Sequence, residues 1–466
     1  MNSIGAYRCI VVCADLSMTK LLILIVFAAS GCAAADCGEG LSLQQKTAKF
    51  KQLDQQAEAA VQAHRPSEAI AFYQQAICLA PGSPRGYYGL GVAQAEAGDF
   101  LKARDALRTA DRLQPTTAMA LIMQVRVNYS LKDFDSLKEN LRELADRFPR
   151  DAQLHDTLSR LLAERSLFVL ALAESLRAHR AGAADPRSKV QLAVLENTIG
   201  AYGDAIRNAE EVEQDRSLAN ELRASAAGVA GLSYESLNQS QPAGQYLREA
   251  IQLDPSQENS YLALADLFEQ SQKYAEAVDV LEAARRNFTQ SPAILLPLGA
   301  DLIRTEQYQA GMNVLRELLR QSPNIQEAYI SLADASHKLG NISQEVKALE
   351  DLAQVNPDYP MIHVLIARAL LSDAPVDYQK VLGELSLAET AAPSDPDVFY
   401  LRGKVCLTLG RYEEALSNLR HSVELRPMEP SAYYQLGKVY QKLGQTEMAK
   451  QQFDRLKYLE SIGSKP

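Results

Sequence analysis

One spacing constrains this chain more than any other feature. Phe100, Phe134, Phe168 and Tyr202 lie 34 residues apart, as do Tyr274 and Tyr308, and Tyr378 and Tyr412. The Tyr202-to-Tyr274 step is 72, two periods plus four; the Tyr308-to-Tyr378 step is 70, two periods plus two. A fixed period of this length marks stacked supersecondary units rather than one globular core. Unit starts at 50, 84, 118, 152, 186, 224, 258, 292, 326, 360, 396 and 430 give twelve units, with small insertions before 224 and within 360–395.

The unit at 84–117 shows what repeats. Tyr87, Leu90, Gly91 and Gln94 stand at i, i+3, i+4, i+7, one face of a helix. Gly98 suits the left-handed turn that ends that helix, and Asp99 is placed to cap the next. Phe100, Ala103, Leu107 and Ala110 form a second helical stripe, and Pro115 stops the unit. Gly91 and Ala103 are small, so the two helices can approach closely. The small position recurs as Ala57, Ser159, Ala193, Gly231, Ala265, Gly299, Ala333, Ala367, Gly403 and Gly437, and only Val125 departs.

This order, aromatic–Leu–Gly–aromatic followed by Ala, Phe or Leu, Ala and Pro at a period of 34, resembles the tetratricopeptide repeat (TPR) and covers nearly all of residues 50–460. The resemblance implies an all-α fold: a right-handed superhelical α-solenoid of about twelve helix-turn-helix units. Gln56, Gln124 and Arg402 replace the Leu of the first helix, Glu345 replaces the second-helix Ala, and units 152 and 186 lack the Pro. Those units are expected to be the least regular. AGAADPRSK (181–189) and QDRSLANELR (214–223) are candidate bends, SDAPVDY (372–378) is a lengthened turn, and residues 461–466 form a tail.

The N-terminus has another character. Lys20 precedes an apolar run, Leu21–Ala29, followed by small residues, as in a secretory signal over residues 1–35. Met18 offers an alternative start that leaves a compact signal. Ala29-Ser30-Gly31-Cys32 resembles the bacterial lipobox, which implies diacylation of Cys32, and Ala33 after it points by the same resemblance to the outer membrane. Cleavage after Ala35 and an uncleaved anchor remain open, although Leu21–Ala35 is short for a span. Residues 36–49 read as a tether. A Cys37–Cys78 disulfide fits an oxidising compartment, with no other feature in its support, and Cys406 reads as a small core hydrophobe.

No constellation of catalytic residues stands out. His64, His155, His179, His337, His363 and His421 are scattered over separate units, and no pair has metal-ligand spacing on a helix. Phosphate-cradling glycine loops and nucleophile elbows are missing from the sequence. A net charge of -10 argues against nucleic acid as the main partner, since phosphate binding needs a broad basic footprint. The expectation is a non-catalytic scaffold without metal or cofactor, exported to a bacterial cell envelope and held to the membrane by an N-terminal lipid or anchor. Its partners are expected to be peptide or helix segments of other proteins. A module that recruits or regulates an envelope glycosyltransferase or secretion system is the alternative, and an enzyme in its own right a third.

By the same resemblance, first-helix residues line a concave groove. Off the packing stripe, the ninth position of each unit runs Glu58, Val92, Arg126, Arg160, Val194, Leu232, Asp266, Ala300, Asp334, Arg368, Lys404 and Lys438. Three basic residues thus fall in the last three units. The fifth positions beside them give Tyr400 and Tyr434, and Lys442 extends the row. Arg368, Tyr400, Lys404, Tyr434, Lys438 and Lys442 form a candidate anion or carboxylate site with aromatic walls.

Overall fold

The computed structural model describes residues 39–359 and 361–463. The expected signal, with Cys32, lies outside the described residues, as does Cys37. Among the described residues there are twelve helical hairpins and no strand, so the chain is an all-α repeat array. It divides into two compact units at Ser188–Lys189, inside the segment 181–189.

Hairpins one to four are α1 (Leu43–Gln62) with α2 (Pro66–Leu79), α3 (Pro84–Glu96) with α4 (Phe100–Leu113), α5 (Met119–Ser130) with α6 (Phe134–Arg147), and α7 (Ala152–Ala163) with α8 (Phe168–Arg180). Hairpins five to eight are α9 (Pro186–Thr198) with α10 (Tyr202–Glu213), α11 (Asn220–Ser236) with α12 (Ser240–Leu253), α13 (Glu258–Gln270) with α14 (Tyr274–Arg285), and α15 (Pro292–Arg304) with α16 (Tyr308–Gln321). The last four are α17 (Gln326–Lys338) with α18 (Ile342–Val355), α19 (Ile362–Ser372) with α20 (Tyr378–Ala391), α21 (Pro396–Thr408) with α22 (Tyr412–Leu425), and α23 (Pro430–Lys442) with α24 (Thr446–Gly463). Each of the eight periodic aromatics is the first residue of a second helix.

The turn inside eleven of the twelve hairpins follows one backbone rule, the lengthened turn of hairpin ten being the exception. Gly98 takes φ +80°, its N–H reaches Ala95 O at 3.1 Å, and the Asp99 N–H reaches Gln94 O at 2.8 Å. This pair of bonds is the Schellman closure of a helix. The same two bonds recur at Asp133→Asn128 with Lys132→Tyr129, and at Leu167→Leu162 with Ser166→Ala163. There Lys132 and Ser166 hold φ near +57° without being glycine.

Close packing then joins the two helices. A Cβ built on Gly91 would lie 2.6 Å from Leu107 Cγ, and one on Gly403 would lie 2.5 Å from Leu419 Cγ. The small position therefore exists because a leucine from the second helix fills the space over it. Ala103, Leu107, Ala110, Ala415 and Leu419 are all buried. Burying such a leucine contributes about 1.5–3 kcal/mol, and these thin alanine–leucine layers make up most of the core. In the second unit one apolar cluster runs unbroken from Tyr261 to Val405.

Four sequence expectations change at this level. The helix expected from residue 50 begins at Leu43, so part of the supposed tether is helical: Gln45 N–H donates to Ser42 Oγ and Ser42 N–H to Gln45 Oε1, a capping box that starts the helix early. The extra residues before 224 are partly absorbed as helix, since α11 starts at Asn220, with Arg223 tied to Glu213 through its carbonyl and carboxylate. The last helix runs to Gly463, into the expected tail. Asp99 makes no capping bond, because its carboxylate takes Lys102 Nζ at 2.6 Å instead.

Candidate functional site

The first helices present most ninth positions to solvent, but the fifth positions, expected beside them off the packing stripe, are mostly half-buried, with Asp54, Val190 and Val364 buried by neighbouring helices. In the last three hairpins this places Arg368, Lys404, Lys438 and Lys442 in exposed positions, Tyr434 exposed and Tyr400 half-buried. Arg368, Tyr400 and Lys404 meet in one depression of about 440 Å³, whose walls include Leu371, Pro396 and Leu401. Lys438 lies outside that depression, with its Nζ 5.4 Å from the centre of the Tyr434 ring. Lys442 is exposed and makes no ion pair among the described residues.

The row is not three free cations. Arg368 Nη2 donates to Asp397 Oδ2, and Arg426 Nη1 donates to Asp397 Oδ1 at 2.8 Å. One carboxylate from the first turn of α21 is thus held by two guanidiniums, and Arg368 is already partnered. Lys404 has no such counter-ion among the described residues. The spacing of residues on one helix face could place these cations together, but it could not place Asp397 between two of them.

A second depression, about 570 Å³, lies against the first helices of hairpins one to three. Arg85 spans its rim: Nε donates to Asp54 Oδ2 and Nη2 to Glu58 Oε1, each at 2.6 Å. Tyr73 forms part of the lining, and Gly89 makes room for it, since a Cβ there would fall 2.3 Å from the Tyr73 ring. Burial first, then the Asp54 and Glu58 carboxylates, push the Tyr73 hydroxyl up to about 12, so it stays a neutral donor. Sequence reasoning missed this feature. Its only signal was Asp54 and Tyr88 at the fifth position beside Glu58 and Val92 at the ninth.

Two buried charge clusters lie between helices. His155 and Glu174 are fully buried; the ring Nδ1 lies 2.7 Å from Glu174 Oε2 and Nε2 3.2 Å from the Phe148 carbonyl. At hairpins seven and eight, Asp301 is completely buried and takes Arg304 Nη1 on one oxygen, while Arg304 also reaches Glu269 at 3.4 Å. Burial and the Asp301 carboxylate raise Glu269 to about 7.

None of this assembles catalytic machinery. Cys406 is a free, buried cysteine whose thiol is pushed up by burial, the wrong direction for a nucleophile. His337 and His363 are each held by one glutamate, Glu345 and Glu384, on their own hairpins. Among the described residues no group of three or more histidine, cysteine, aspartate or glutamate side chains could hold a metal ion, and no helix is long and apolar enough to cross a membrane. Cys78 is disulfide-bonded, and the expected partner, Cys37, lies outside the described residues.

Tetratricopeptide-repeat family models match residues 60–124, 229–292, 403–444 and 430–461. No match is found among curated proteins. Among solved structures, MamA from Desulfovibrio magneticus RS-1 is 20% identical, covers 37% of this chain and 96% of its own, and has a TM-score of 0.34. Yeast Tom70 is 17% identical over 89% of this chain and 92% of its own, with a TM-score of 0.32. PilF from Pseudomonas aeruginosa is 18% identical over 45% of this chain and 94% of its own, with a TM-score of 0.35.

Proposed function

We propose that this chain, a tetratricopeptide-repeat protein, is a non-catalytic scaffold that holds segments of other proteins against the first helices of its hairpins. The observation that carries this reading is the depression over hairpins ten to twelve. Lys404 is exposed there without a counter-ion among the described residues, Tyr400 stands beside it, and the Tyr434–Lys438 pair continues the face. Such a face suits a peptide or helix that brings its own acidic groups and apolar side chains. Capture from a cell-envelope extract tests it. Partners retained by the wild-type chain should be lost when Lys404→Glu and Lys438→Glu are combined, and unchanged capture would remove this face from the proposal.

The place of action is the bacterial cell envelope. The Lys20 and Leu21–Ala29 pattern with Cys32 supports export and lipidation, and the disulfide at Cys78 suits an oxidising compartment. Radioactive palmitate should label the wild type but not Cys32→Ala, and the variant should leave the membrane fraction. Equal labelling and fractionation of the two would end the lipid-anchor proposal.

A further inference from the structure

In the second unit the exposed ninth positions change sign along the stack. Asp266 and Asp334 stand on hairpins seven and nine; Arg368, Lys404 and Lys438 stand on ten, eleven and twelve, all exposed. Several other charges on the first helices are answered inside the protein: Arg85 holds Asp54 and Glu58, Arg304 holds Asp301 and Glu269, and Asp397 holds Arg368. Asp266 accepts only the uncharged Gln270 amide, at 3.0 Å. Asp334 and Lys404 make no ion pair among the described residues, and Lys438 has only the Tyr434 ring. At the ninth positions, though not at Lys338 one turn beyond Asp334, the charges left without internal counter-ions are therefore sorted, negative on the earlier hairpins and positive on the later ones. A solvated face needs no such order, whereas electrostatic complementarity to one partner does.

We propose that this face takes a dipolar protein segment, with an acidic end over Lys404 and Lys438 and a basic end over Asp266 and Asp334. The proposal rests on the scaffold reading above and adds the partner's chemistry and its direction. Neighbouring helices pack at about 10 Å, close to the screening length of about 8 Å in physiological salt, so each charge acts on the group directly over it. Binding is accordingly salt-sensitive, and each end contributes separately. Five steps of about 10 Å from hairpin seven to hairpin twelve match roughly 15 residues of extended chain at about 3.3 Å each.

The test uses the full chain and three synthetic peptides of that length: one lysine-rich at one end and glutamate-rich at the other, one glutamate-rich throughout, and one of serine and glutamine. The dipolar peptide should bind tightest. K404E with K438E, and separately D266K with D334K, should each weaken it by about tenfold, a modest loss as expected of exposed ion pairs. All four substitutions together should restore affinity, with the peptide reversed, as read by energy transfer from a dye on one peptide end. All four positions are exposed, and unchanged circular dichroism serves as the folding control. Equal binding of the all-acidic peptide, or indifference to D266K with D334K, would overturn the dipole and leave the scaffold standing. Failure of all three peptides to bind would remove both.

Discussion

Asp397 decides what Arg368 can do. Alone on an exposed helix face, an arginine is free to meet a ligand; held by a carboxylate that Arg426 also grips, it is part of the wall. Glu269 makes the same point with a measurable consequence. Burial and the neighbouring Asp301 carboxylate raise it from 4.5 to about 7, against the opposing pull of Arg304. Burial raises Asp301 as well, opposed by the Arg304 guanidinium that donates to it. Because the folded value of Glu269 lies above the unfolded one, its contribution is complete below about pH 4.5 and is lost as pH rises through about 7. The wild type should therefore unfold at lower urea near pH 8 than near pH 5.5. Glu269→Gln should narrow that gap, since its amide does not titrate. Equal pH dependence in the two proteins would contradict the assignment.

The hairpin was the most legible feature of the sequence, because its rules are local. The aromatic that opens the second helix, the small residue beneath a leucine and the left-handed turn all recur within one 34-residue period. Gly403→Leu should cost about 1–3 kcal/mol by driving a side chain into Leu419, seen as a lower melting temperature. An unchanged melt would mean the two helices do not meet there. Less legible was anything set by contacts between hairpins. The pairing of Arg85 with Asp54 spans 31 residues, and that of Arg368 with Asp397 spans 29, so composition along one helix face says nothing of either. Helix starts drifted for a similar reason. Ser42 and Gln45 cap α1 through side-chain bonds that the hydrophobic period does not register. The sequence showed that the ninth first-helix positions mostly reach solvent, misplaced the fifth, and left unread which of them were already spoken for.

At the scale of the molecule, hairpins within each compact unit bury their faces against one another, and the stability of such arrays is close to a sum over adjacent contacts. Among the described residues every helix belongs to one of these hairpins. The proposed scaffold uses the first-helix side, where Lys404 is exposed without an ion pair among the described residues. The most direct measurement is site-specific photo-crosslinking in cells, with the reactive group placed at Lys404 on the first-helix side or at exposed Glu413 on a second helix. Discrete adducts with partner proteins should form from Lys404 and not from Glu413. Adducts from Glu413 alone, or equal adducts from both, would contradict the account.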